Sequence, residues 1–424
     1  MAGDSDWRSS LTASERYDNI QRLMKAAAAA GRGQNAFPIE DEAYKTASSR
    51  EEYDAACSLP TAAAEPSSST LPTAPGQDNR ESSLGLTIGP YQNCHYIASG
   101  VTAEVYRAQT RALKVIVETH NIEPHDPHRE AKILTSLRSA NAPNIIQLLE
   151  TFRDRDQHFV LVFPYMPSTL AHLLANNHQP LPTPLIRTIF TALFRALLHL
   201  HSNGIIHRDI KPSAILLPSI TTTTNSPPPL PPSHIYLSDF GTAWHPNYSS
   251  ASEPASHKVL DVGTGPYRAP ETLFGNRAYT TAIDLWAAGA TLAECFLVPP
   301  SPVAETGGGG GEGGGKRTTL FDCPPAHQDG NQLGLVLSIF QTLGTPTPQT
   351  WPEAVGFRTP PFEMYRVFEG RVQKEGWEGV VPCADEGWRE LVEGLVRFES
   401  GRRVTAGEAL EFPCMKGESE DQET

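Results

Sequence analysis

Hydrophobic periodicity changes character at Pro167, and that change restricts the chain to a two-part α+β architecture. Upstream, 96–109, 111–119, 145–152 and 159–163 read as strands, with one helical stretch at 128–139. Downstream, apolar residues recur at helical spacing over 185–203, 281–296, 333–343, 388–398 and 405–412. Two short apolar runs, 214–217 and 235–237, interrupt the helical pattern and pair as a hairpin. The expectation is a small β-rich lobe over about 84–166, a larger α-rich lobe over about 167–413, and a cleft between them.

Other segments lack the side chains to join either lobe. Residues 1–83 are rich in Ala, Ser, Thr and Pro, carry one helical stretch at 12–30, and otherwise read as a disordered arm. Residues 219–233 (SITTTTNSPPPLPPS) and 301–318, which holds the glycine tract 307–315, read as surface insertions because they cannot offset the entropy of ordering. Residues 414–424 read as a solvated acidic tail.

Charge and cysteine usage exclude several classes. With 48 acidic against 34 basic residues the net charge is −14, which argues against a broad basic surface for nucleic acid or anionic lipid. The apolar stretch 282–298 contains Asp284 and Glu294, so it reads as a buried helix and no membrane span is expected. The first residues show no basic run followed by an apolar one. Six cysteines show neither a CxxC pair nor a His-paired metal spacing and read as reduced thiols, which places the chain in the cytoplasm or nucleus. His128, His158 and His172 share no metal spacing and read as ordinary polar residues.

The residues that carry chemistry flank the expected hairpin. At 207–211 the chain reads His-Arg-Asp-Ile-Lys and at 239–241 Asp-Phe-Gly, so Asp209 and Asp239 face the cleft. Phosphoryl transfer needs a carboxylate to orient a hydroxyl, another to hold a metal ion, and cations on the phosphates. Asp209 suits the first task, Asp239 the second as a ligand of Mg²⁺, and Lys211 neutralises the migrating group. Lys114, on the strand Ala112-Leu113-Lys114-Val115, suits the α- and β-phosphates, and Glu130 on the following helix supplies the counter-charge that keeps it protonated.

This constellation resembles the eukaryotic protein kinase family over about 84–412, in the order glycine-rich loop, Lys114, Glu130, His207-Arg208-Asp209, Asp239-Phe240-Gly241, Ala269-Pro270-Glu271. Residues 339–346 (IFQTLGTP), followed by Trp351-Pro352, and 267–271 (YRAPE) are similar to the cyclin-dependent-kinase-like branch. Thr264 with Lys211 is similar to the serine/threonine-specific arrangement. The resemblance implies a two-lobed fold that transfers the γ-phosphoryl of ATP, with Mg²⁺, to Ser or Thr of a protein substrate. It implies an ATP slot lined by Ile97, Gly100, Val105, Ala112, Lys114, Glu130 and Leu216, with Phe163 as gatekeeper and Tyr165 and Met166 in the hinge. Thr169 stands at the ribose-facing position, and Asp284 and the Glu271–Arg403 pair look like scaffold charges.

The departures from that pattern are specific. The loop over the phosphates, 97–105, keeps only Gly100, with Ala98 and Ala103 at the other glycine positions, which stiffens it and weakens nucleotide affinity. Ala214 stands where the family's second metal-binding residue, an asparagine, belongs. Two readings follow: an active kinase with an altered metal site, which the retained Lys114, Glu130, Asp209, Lys211 and Asp239 favour, and a pseudokinase that binds partners as a scaffold. Of the three arginines that grip an activation-loop phosphate in cyclin-dependent kinases, Arg129 and Arg208 are present, while Trp244 takes the third place and Val259 that of the phosphoacceptor threonine. Asp261 is therefore expected to offer Arg208 a fixed negative charge. The cyclin-docking motif before Glu130 is missing, and Pro127 delays the helix start. Together these features resemble the fungal monomeric cyclin-dependent-kinase-activating kinases, which implies a monomer that needs no cyclin and a substrate that is itself a cyclin-dependent kinase.

Overall fold

Alternation upstream of Pro167 becomes a six-stranded antiparallel sheet of order β1-β2-β3-β4-β6-β5. Its strands are β1 Leu86–Ile88, β2 Tyr91–Ser99, β3 Ala103–Ala108, β4 Arg111–Ile116, β5 Glu150–Arg153 and β6 Phe159–Pro164. The computed structural model describes residues 23, 43–44, 47, 49–57, 85–100, 102–117, 123–177, 179–219, 230–249, 253–297, 318–321, 332–364 and 376–416. Most of the arm 1–83, of the insertions 219–233 and 301–318 and of the tail 414–424 lies outside the described residues, as does the expected disorder there.

Strand β4 shows how period-2 alternation places the chemistry. Leu113 and Val115 are buried on one face against Val160 and Val162, so Lys114 projects from the other. Paired antiparallel with Val105 on β3 and Leu161 on β6, Lys114 is fixed in register at the sheet centre. The expected strand 96–109 is two strands, because Gly100 donates its N–H to the Ala103 carbonyl at 2.8 Å and turns the chain. Strand β1 and the start of β2 escaped the sequence reading because both are largely exposed, with Ile88 and Cys94 their buried residues, so no alternation marks them. The expected strand 145–152 pairs only from Glu150. Ile145, Ile146 and Leu148 are buried ahead of it, and the Ile146 N–H reaches the Leu237 carbonyl at 2.9 Å, so the apolar run packs on the second lobe.

The chain divides into two units, Met1–Glu81 and Ser82–Thr424. The first contains a short helix that the sequence reading missed, α1 Arg50–Ala56, whose start is capped by Ser49 Oγ accepting from the Glu52 N–H at 3.2 Å. Ser49 followed three residues later by Glu52 was the available signal. Of the expected helix 12–30, only Leu23 is described; it is helical and buried with Tyr53 and Cys57.

In the second unit, helix α2 Pro127–Ser139 starts at the proline, and the Asp126 carboxylate accepts from the N–H groups of His128 and Arg129, both at 2.9 Å. Ile133, Leu134 and Leu137 bury its apolar face, and the adjacent Arg129 and Glu130 are buried too. The larger lobe is built from α3 Leu170–Ala175, α4 Thr183–Ser202, α5 Pro270–Leu273, α6 Ala282–Phe296, α7 Gln332–Leu343, α8 Glu386–Leu395 and α9 Ala406–Glu411. Every residue of α6 is buried. At its centre Gly289 allows close approach, since a Cβ there would lie 2.7 Å from Leu395 Cβ at the end of α8. Strands β8 Ile215–Leu217 and β9 Tyr236–Leu237 pair antiparallel on either side of the insertion, and a two-residue strand that sequence could not signal, β7 Ser168–Thr169, adds to β8. No described helix is long and apolar enough to cross a membrane.

Candidate active site

Three charges from three elements converge where the sheet meets the β8–β9 hairpin. Lys114 Nζ donates to both carboxylate oxygens of Glu130 at 2.9 Å and to Asp239 Oδ1 at 3.2 Å. Gly241 lies against all three, and its carbonyl accepts from the Asp126 N–H at 3.1 Å, which ties the turn after Asp239 to the cap of α2. Asp239 itself has φ +64°, a left-handed conformation that Asp tolerates better than most residues.

The electrostatics separate the two carboxylates. Burial alone pushes the Lys114 ammonium down, but Glu130 and then Asp239 override it and hold the lysine well above its ordinary value. The neighbouring Lys114 keeps the Asp239 carboxyl down at about 2, so it is ionised at any physiological pH. Burial pushes Glu130 up, with Lys114 opposing.

The catalytic-loop residues assemble around a second centre. Lys211 Nζ donates to Asp209 Oδ2 at 2.6 Å and to Thr264 Oγ1 at 3.0 Å, and the Thr264 hydroxyl donates to Asp209 Oδ1 at 2.7 Å. Asp284, buried on α6, fixes the backbone by accepting from the N–H groups of His207 at 2.9 Å and Arg208 at 2.8 Å. His207 Nε2 lies 2.9 Å from the Ser238 carbonyl, and its ring meets the Phe240 ring edge-on at 4.7 Å, so the two loops hold each other. Glu271 and Arg403 form a bidentate buried pair at 2.6 and 2.7 Å.

The remaining expected nucleotide contacts fall on the strands around this centre. Ala112 shares the face of Lys114 on β4 and pairs with Phe163, and Val105 pairs with Lys114 and with Ala98. Tyr165, Met166 and Leu216 are half-buried, Ile97 is exposed, and Gly100 sits in the β2–β3 turn. The Arg107 guanidinium stacks over the Tyr165 ring at 4.4 Å. Ala214 is buried and offers no side-chain ligand; its carbonyl accepts the Ser238 N–H and hydroxyl, both at 2.9 Å, while Ser213 is exposed. An ionised Asp239 beside the Lys114 ammonium suits a hard divalent cation that keeps several waters, so the donor set fits such an ion with one carboxylate as its protein ligand.

One expectation is overturned. Asp261 does not reach Arg208: its side chain is 87% exposed and pairs with Arg268 at 3.2 Å. Arg208 instead turns inward, donating to the Thr242 carbonyl, to the Tyr279 hydroxyl at 3.1 Å and to Glu253. Glu253 went unread although it is the sole acidic residue between Gly241 and Asp261. At the expected third arginine position the Trp244 indole N–H donates to the Glu253 carbonyl at 3.0 Å, and the Lys258 ammonium lies 4.9 Å above the indole ring. Sequence also gave no hint of Lys258, whose contacts are to the Trp244 and Tyr279 rings and to backbone carbonyls, Tyr279 among them at 2.7 Å.

Comparison with known proteins follows the same lines. The family profile described as protein kinase domain matches residues 91–415. The chain is 28% identical over 294 residues to the serine/threonine-protein kinase CAK1 of Saccharomyces cerevisiae, covering 62% of this chain and 75% of that protein. It is 28% identical over 321 residues to the serine/threonine-protein kinase csk1 of Schizosaccharomyces pombe, covering 75% and 92%. Against cyclin-dependent kinase 7 of Carassius auratus it is 28% identical over 333 residues, covering 76% and 81%.

Proposed function

The chain belongs to the protein kinase family and is a serine/threonine kinase of the cyclin-dependent-kinase-like type, and on that premise we propose that it phosphorylates the activation-segment threonine of a cyclin-dependent kinase. Kinases of this family use ATP and a divalent metal; we assign Mg²⁺, which one carboxylate and retained waters satisfy. When bound, the ion neutralises charge on the β- and γ-phosphates.

The observation that carries an active enzyme is the Asp209–Thr264–Lys211 triangle. Both oxygens of Asp209 are held, Oδ1 by the Thr264 hydroxyl and Oδ2 by the Lys211 ammonium, so the carboxylate is fixed in one orientation. Asp209 orients the incoming hydroxyl and accepts its proton, Lys211 neutralises the phosphoryl group in transit, Lys114 holds the α- and β-phosphates, and Asp239 ligates the ion. Ile97, Gly100, Val105, Ala112, Phe163, Tyr165, Met166 and Leu216 form the nucleotide slot in this reading. Likeness to CAK1 and cyclin-dependent kinase 7 supports the cyclin-dependent-kinase-like type, and the choice of substrate class rests on the sequence resemblance to cyclin-dependent-kinase-activating kinases. We further propose a monomer that needs no cyclin, because the Asp126 cap and Pro127 start α2 without help from another chain. The sparse, unpatterned cysteines support the cytoplasm or nucleus.

Ala214 favours a second reading, a pseudokinase scaffold, since it removes one ligand of the metal site. Radiolabelled transfer from ATP to a panel of kinase activation-segment peptides separates the two. The active reading expects labelling of a threonine by the native chain and a drop of at least about a thousandfold in Asp209→Asn, with ATP binding retained. Equal labelling by both proteins, or none by either, contradicts it.

A further inference from the structure

Arg129 from α2 and Arg208 from the catalytic loop are both buried, and neither guanidinium can shed its charge. Two like charges sealed in this way require an anion. Glu253, itself 2% exposed in its side chain, is that anion. Its Oε1 accepts from Arg208 Nη1 and from the Val259 N–H at 3.0 Å, and its Oε2 lies 3.5 Å from Arg208 Nη2 and 3.7 Å from Arg129 Nη1. Trp244 anchors the Glu253 carbonyl, and the Tyr279 hydroxyl bridges Arg208 to the Val259 carbonyl at 2.7 Å.

One carboxylate thus fastens three separate pieces of chain: the helix that presents Glu130, the loop that presents Asp209, and the segment that leads through Val259 to Thr264. We propose that Glu253 is a built-in anionic clasp that holds this segment in its working position, a positioning residue that makes phosphorylation of the segment unnecessary. The inference rests on the active-kinase reading for its catalytic consequence, but not for its structural one. The carboxylate enters from six residues upstream of Val259 and meets the same two arginines that a phosphate at that position meets in cyclin-dependent kinases. Without it, Arg129, whose Nε and Nη1 make no hydrogen bond, keeps the half-exposed Glu123 carboxylate at 4.0 Å from Nη1, and Arg208 loses its carboxylate partner.

The test compares the native chain, made in bacteria and treated with phosphatase, with Glu253→Gln and Glu253→Asp. The native chain transfers phosphate equally before and after phosphatase treatment. Glu253→Gln lowers kcat about ten- to a hundredfold with KM for ATP within about threefold, and Glu253→Asp recovers part of the loss. Amide exchange at 255–263 speeds up about tenfold or more in Glu253→Gln, while α6 is unchanged. If Glu253→Gln fails to fold, Arg129→Gln/Glu253→Gln removes one charge of each sign, leaves the net charge of the cluster unchanged, and is expected to fold yet still exchange quickly at 255–263. Loss of native activity on phosphatase treatment, or a folded charge-removed variant that keeps native exchange in this segment, overturns the proposal. If the native chain transfers no phosphate at all, the active reading fails alone, and the exchange comparison still decides the role of Glu253.

Discussion

Glu130 and Arg129 are neighbours on α2, and each anchors a charge cluster of a different kind. Glu130 pairs with Lys114 and, through it, Asp239, whose side chain is 46% exposed. Arg129 pairs with Glu253 and, through it, Arg208, and no member of that trio is more than 2% exposed. The first cluster keeps an open side at Asp239. The second is sealed at Glu253 and both guanidiniums and reaches solvent only through Glu123, 4.0 Å from Arg129 Nη1, so its charge serves geometry. One helix turn therefore couples the cleft to the segment that carries Thr264, and any shift of α2 disturbs both.

Substitutions sharpen that contrast by separating chemistry from stability. Within the two clusters the largest effect on transfer is expected from Lys114→Met. Transfer falls on the order of 10²–10³-fold, while the melting midpoint falls by less than when the sealed Glu271–Arg403 pair is broken, because Lys114 is partly exposed and burial already pushes the Glu130 carboxyl up. Steady-state kinetics beside thermal unfolding check this, and a collapse of the fold would break the distinction. Arg403→Met stands on the sealed side as a control: it leaves Glu271 buried without its cation and is expected to cost about 3–5 kcal/mol of stability. At temperatures where the variant is folded its kcat stays near native, which denaturant titration paired with kinetics reads directly. The smallest effect is expected from Ala214→Asn, which adds one amide oxygen near Asp239. The Mg²⁺ concentration for half-maximal rate falls by less than about tenfold, since retained waters already complete the shell.

The two clusters were also unequally legible in the sequence. Lys114 sits in an alternating strand, Asp209 and Asp239 flank two short apolar runs, and Glu130 lies one helix downstream, so local pattern alone brought these residues to one cleft. Glu253 lies in a stretch without periodicity, 45 residues from Arg208, and a pairing of that separation is set by how the lobe packs. Asp261 looked better placed because it is near Val259 in the chain, yet it stays in water, where an aspartate needs no buried partner. The same division runs through the fold. Buried elements such as β4 and α6 announce themselves by apolar period, whereas β1, the exposed start of β2, the two-residue β7 and the capped α1 carry too few buried positions to do so.

With Glu253 in place of a segment phosphate and α2 started by its own cap, this single chain is proposed to transfer phosphate with no modification and no second subunit. Single-turnover transfer from ATP and Mg²⁺ by the purified chain, shown by intact mass to be unphosphorylated, measures this directly when the acceptor is a cyclin-dependent kinase with either its activation-segment threonine or a valine there. Stoichiometric labelling of the threonine form alone is the predicted result. No labelling until a cyclin or an upstream kinase is added would contradict the account.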